Sequence, residues 1–156
     1  SNLMRTLINQ SSNPDRLLNK LARNTLSHLV KTCAMNQNRI VPTLRSILRV
    51  SLNFDRLTKS KITNELIMSA DNDNTIQEIA QFLISLEHSV NEDIIKYQIF
   101  ALDSLLHLVR AKKSIISKTE IYENIIDYLI EHGYVKKESD DRYSDRMATC
   151  SLERLY

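Results

Sequence analysis

An all-α fold is what this 156-residue chain predicts, on three observations. Apolar residues recur at intervals of three and four nearly throughout, the spacing that lines up side chains on one face of a helix. One glycine and two prolines are too few breakers for the tight hairpins of a sheet protein. The stretches without apolar residues are short and rich in Asn, Asp and Ser, as helix connections are. A chain of this length buries roughly 70% of its unfolded surface, so its core requires neither disulfide nor structural metal.

The elements follow in order. A short helix is expected over Leu3 to Gln10. Asn13 and Pro14 then supply a cap and a first helical position for a second helix, with Leu17, Leu18, Leu21, Ala22, Leu26, Leu29, Val30 and Cys33 inward. Asn36-Gln37-Asn38 ends it. A third helix starts near Pro42, carries Leu44, Ile47, Leu48 and Leu52, and stops around Asn53. Thr58 to Met68 forms a shorter helix on Ile62, Leu66 and Ile67. The run Asp71-Asn72-Asp73-Asn74-Thr75 is a capping loop that opens a helix carrying Ile76, Ile79, Ala80, Phe82, Leu83 and Leu86. It lacks the glycine and glutamate of a calcium loop. Asn91 caps a long helix from about Glu92 to Lys112, whose buried stripe holds Ile95, Ile99, Leu102, Leu105, Leu106 and Val109. The last helix holds Ile121, Ile125, Ile126, Leu129 and Ile130, and ends at Gly133. Residues 1–133 are thus expected to form the helical domain. Residues 134–156 form either a small β-hairpin or a polar tail.

A local signature is repeated. Leu26-Ser27-His28-Leu29-Val30-Lys31 reappears as Leu105-Leu106-His107-Leu108-Val109-Arg110, seventy-nine positions later. An apolar helix follows each copy, and the pair built on Ile62 to Met68 and Ile76 to Leu86 lies halfway between them. Units spaced by roughly forty residues are the interval of stacked helical hairpins. On these residues the chain resembles the HEAT and armadillo group of helical repeats. That resemblance implies an α-solenoid fragment acting as a scaffold or adaptor, without catalytic residues. A compact helical bundle is the alternative architecture. The segment Ile126 to Glu131, followed by Tyr134-Val135-Lys136-Lys137, resembles the final helix and hairpin of a cullin-type winged helix.

Charge is the sharpest feature. Residues 1 to 61 hold eleven Lys/Arg against Asp15 and Asp55, a formal +9, whereas residues 62 to 156 hold ten against seventeen, a formal −7. Such a split speaks to partners and not to fold. At about 100° per residue, Arg16, Lys20, Arg23 and Lys31 form one stripe on the second helix. Arg45 and Arg49 share a face of the third helix, and Arg56 would continue it if that helix ran on. Arginines in such an array suit bidentate acceptors such as carboxylate and phosphate. Phe54 is the one aromatic of this basic stretch, so stacking platforms for single strands are absent. Among the six tyrosines, Tyr122 stands beside the Ile121 and Ile125 stripe and is the best interface candidate.

Catalytic patterns are missing. The histidines at 28, 88, 107 and 132 have no metal-ligand spacing, and Glu120, Glu123, Asp127 and Glu131 form a solvated acidic row rather than a shielded acid-base pair. No cofactor is implied, and no run approaches the eighteen apolar residues of a membrane span. Two cysteines, Cys33 and Cys150, are read as reduced thiols of a cytoplasmic or nuclear protein. The expectation is therefore a non-enzymatic module that docks a protein partner, an acidic one among the candidates, through charged helical faces. Nucleic-acid binding by the basic helices is the alternative, and head-to-tail self-association is a further one.

Overall fold

The computed structural model describes residues 2–86, 94–116 and 120–133, and among these the chain is helical with no strand. Residues 134–156, with the expected hairpin or tail and Cys150, lie outside the described residues. The chain divides into two compact units, Ser1–Thr75 and Ile76–Tyr156.

The first unit opens with α1 (Asn2–Ser11), which buries Met4, Leu7 and Ser11. Its hairpin to α2 (Arg16–Met35) is closed by side chains. The Asn13 side chain accepts from the Asp15 N–H at 2.9 Å, and the Asp15 carboxylate accepts from the Leu17 N–H at 2.8 Å. Asp15, not Asn13, is therefore the N-cap, and Pro14 stands outside the helix. The Asn19 side chain donates to the Ser11 carbonyl at 2.7 Å, satisfying a carbonyl at the end of α1.

A 3-10 turn (Gln37–Arg39) leads into α3 (Ile40–Val50), which starts two residues before Pro42. The proline is accommodated because a helix's first turn has no intrahelical acceptor for its N–H. Ile40, Leu44, Ile47 and Leu48 are buried, and Arg45 and Arg49 face outward. Two short helices then follow, α4 (Phe54–Thr58) and α5 (Ile62–Met68). The expected single helix from Thr58 is thus broken, with Lys59 in the left-handed region at φ 51°. Helix α1 packs on α2, α3 and α4, while α5 packs on α2, α3 and α4, so the core forms around Leu44, Ile47, Phe54, Ile62 and Leu66. Gln37 fastens the far end: its amide donates to the Ala34 and Ser69 carbonyls at 2.8 and 3.0 Å, and its oxygen accepts from the Asp71 N–H at 3.1 Å.

Helix α6 (Asp73–Ser85) starts at the boundary, capped by the Asn72 side chain, which accepts from the Thr75 N–H at 2.9 Å. It supplies Ile76, Ile79, Ala80 and Leu83 to the second unit's core. Helix α7 (Ile94–Ile116) runs past the expected end at Lys112, where the backbone departs from helical values. It buries Ala101, Leu102, Leu105, Leu106 and Leu108 and packs on α8 (Ile121–Gly133), which buries Ile121, Ile125, Tyr128 and Leu129. Ile130, on the same helix, is 47% exposed.

Candidate docking face

The second helix is oriented differently from the sequence expectation. Ala22, Leu26 and Cys33 form its buried stripe, within about 40° of one another on a helical projection. Leu17 and Leu21 stand on the far side, 65% and 53% exposed, and Met35 is 86% exposed. Because α2 is covered by α1 and α5 on one flank only, half of its circumference is free to face solvent.

Arg16, Lys20, Arg23 and Lys31 are all exposed on α2. Among the described residues none of these four takes part in an ion pair, and Asp15 spends its carboxylate on the helix cap. Arg16, Lys20 and Arg23 converge with Asn13, Pro14 and Asn19 around an open depression of about 290 Å³ at the α1–α2 elbow. A second depression, of about 310 Å³, lies between α6 and α8, with Asp127, Tyr128 and Glu131 in its wall.

Of the other sequence candidates, Arg45 and Arg49 are exposed on α3 and do not line the elbow. Arg45 already has a partner within the molecule. Arg56 does not continue their face, because α3 stops at Val50 and Arg56 belongs to α4. Tyr122 is half-buried on α8, in the second unit. Phe54 is fully buried, which removes the one aromatic of the basic stretch from any stacking role. Cys33 is buried with its sulfur 3.5 Å from the Thr43 hydroxyl.

Sequence reasoning missed the exposed leucines. It assigned every leucine of the second helix inward, although Leu17 and Leu21 fall about 120° or more from the axis through Ala22, Leu26 and Cys33.

One further carboxylate is distinctive. Asp55, half-buried at the start of α4, accepts from both the hydroxyl and the N–H of Thr63, the latter at 3.1 Å, and from the Asn64 N–H. It thereby caps α5 from eight residues upstream, and burial pushes its carboxyl above the ordinary 3.8 against the lowering effect of these hydrogen bonds. This is a structural role.

Among the described residues no three His, Cys, Asp or Glu side chains converge as metal ligands would, and no helix is long and apolar enough to cross a membrane.

A sequence model of one family, described as DNA polymerase phi, matches residues 1–155. The chain belongs to the DNA polymerase phi family. It is 37% identical over 161 residues to the rDNA transcriptional regulator POL5 of Saccharomyces cerevisiae, covering 99% of this chain and 16% of that protein. It is 31% identical over 142 residues to the rDNA transcriptional regulator pol5 of Schizosaccharomyces pombe, covering 85% of this chain and 15% of that protein. The chain thus spans less than a fifth of the length of the curated relatives it matches. No solved structure matches it.

Membership of the DNA polymerase phi family overturns the HEAT and armadillo resemblance, and with it the cullin one. The physical reason lies in the two similar hexapeptides. In the first copy only Leu26 is buried, whereas in the second Leu105, Leu106 and Leu108 all are, so the two segments occupy unequal environments. Leucine-rich helices resemble one another without being structural repeats.

Proposed function

We propose that this segment of the DNA polymerase phi family is a non-catalytic docking module of a nuclear regulator of rDNA transcription, and that the outward face of α2 holds a protein partner. The nuclear and regulatory part rests on the names of the two fungal relatives. The observation that carries the docking part is the exposed set Leu17, Leu21 and Met35 standing beside Arg16, Lys20, Arg23 and Lys31. Protein interfaces combine an apolar centre with a charged rim, and exposed aliphatic side chains serve no purpose against a phosphate backbone.

The second reading is contact with nucleic acid. Residues 1–75 favour it by carrying eleven Lys/Arg against five Asp/Glu, a formal +6. The two readings differ in their response to salt. Phosphate neutralisation lowers log K by roughly 0.9 per contact for each tenfold rise in salt.

The test is the triple variant Arg16→Glu, Lys20→Glu, Arg23→Glu in the intact protein, read by quantitative co-purification from nuclear extract. Recovery of protein partners is expected to fall at least tenfold. The melting transition should stay within about 0.5 kcal/mol of wild type, as is usual for surface substitutions. Unchanged recovery with unchanged folding would make the stripe ordinary solvated surface. Loss confined to DNA or RNA, with the steep salt slope, would favour the second reading.

A further inference from the structure

The outward residues of α2 follow a rhythm that the buried stripe does not explain. Leu17, Leu21, Asn24, His28, Lys31 and Met35 succeed one another at intervals of four, three, four, three and four, and all six are exposed. This is the 3.5-residue period of a two-helix seam, in which alternate spacings keep one row of side chains against a partner helix. The row extends over about 27 Å, nearly the whole of a 20-residue helix. It lies on the side of α2 opposite Ala22, Leu26 and Cys33, so the element's contribution to the core leaves it free.

The composition of the row states what can cover it. Its ends are apolar and its middle is Asn24, His28 and Lys31, which reject a purely aliphatic partner because each would be buried without a hydrogen-bond or charge complement. Arg16 and Lys20 flank the Leu17 and Leu21 end, and no described carboxylate neutralises them or Lys31. A complementary surface must therefore present aliphatic side chains at both ends, against Leu17 and Leu21 and against Met35, and carboxylates along the middle and one edge. Both can be presented at the required spacing by an amphipathic acidic helix.

We propose that α2 is one strand of a two-helix seam whose other strand is an acidic amphipathic helix of a protein partner. The inference rests on the docking role proposed above and gives that partner its form. Leu17 and Leu21 provide the apolar grip. Lys31 and the flanking Arg16 and Lys20 select for carboxylates and set the register, as single polar seam positions do in coiled coils.

The probes are three labelled synthetic helical peptides of about three heptads. The first carries leucines at both ends of its seam and glutamates between them. The second replaces the glutamates with lysines, and the third replaces the seam leucines with serines. Fluorescence anisotropy against the intact protein is expected to show binding of the first alone. Leu17→Ser combined with Leu21→Ser should weaken it at least tenfold with the unfolding midpoint unchanged. Lys31→Glu should move preference toward the lysine peptide. Equal binding of the acidic and lysine peptides would overturn the proposal, as would indifference to the serine pair. Tight, salt-steep binding of a 20-base-pair duplex that the serine pair leaves unchanged, with the acidic peptide failing to bind, would overturn it in favour of phosphate contact. Failure of the seam alone is distinguishable: the triple charge reversal would still release nuclear partners while the serine pair would not. If the reversal released nothing, the docking role itself would fall.

Discussion

Phe54→Ala is expected to lower the stability of the chain by about 4 kcal/mol, the cost of removing a ring from a site that cannot collapse around it. Phe54 is 0% exposed and opens the five-residue helix α4, which packs against α1, α3 and α5. A helix of that length has no stability of its own in water, since nucleation outweighs the few hydrogen bonds it makes. Its position depends on the ring. The loss is a large part of the roughly 5–15 kcal/mol available to a domain, so the first unit should melt far earlier in urea than wild type. Phe54→Leu, which retains much of the volume, should cost about 1.5 kcal/mol or less. Denaturant midpoints of the three proteins check both figures. An alanine variant within 1 kcal/mol of wild type, on the order of a surface substitution, would show that Phe54 does not anchor α4.

Asp55→Ala is expected to cost about 2 kcal/mol, because it strands the buried Thr63 hydroxyl and leaves the first N–H groups of α5 without an acceptor. Asp55→Asn keeps an acceptor and should cost less. The pair also differs in pH dependence. Burial raises the Asp55 carboxyl above the ordinary 3.8, so the folded chain holds that proton more tightly than the unfolded one. The group's contribution is therefore greatest at low pH, below the unfolded value, and is lost as pH rises through the folded value. The stability of wild type relative to Asp55→Asn should accordingly increase on acidification. Urea midpoints of the two proteins at neutral and acid pH measure it, and a difference that shrinks on acidification would contradict the sign.

The strongly amphipathic elements were legible in the chain. Leu44, Ile47 and Leu48 on α3, and Ile121, Ile125 and Leu129 on α8, repeat at helical spacing and are buried as that spacing requires. What escaped was tertiary in origin. Helix α4 is too short to leave a periodic signal, and its stability comes from neighbours distant in sequence. The cap on α5 is supplied from Asp55, eight residues before Thr63, where no local capping pattern points. The leucines of α2 were misassigned because apolar character alone does not say which of two faces a core will cover. There the polar positions between them carried the better signal: Asn24, His28 and Lys31 share the 3.5-residue row with Leu17, Leu21 and Met35, a pattern of a surface rather than of a core. Of the candidate site, the basic stripe was visible from charge spacing, while its apolar companion became visible only once α2 had been oriented.

Hydroxyl-radical footprinting of the intact protein, free and within its purified nuclear complexes, bears most directly on the docking face. Leu17, Leu21 and Met35 should each be protected several-fold in the complex, while Leu3 and Ile130, which are 53% and 47% exposed, serve as internal references and stay reactive. If Leu17 and Met35 are modified as fast in the complexes as in the free protein, α2 is not the surface through which partners are held.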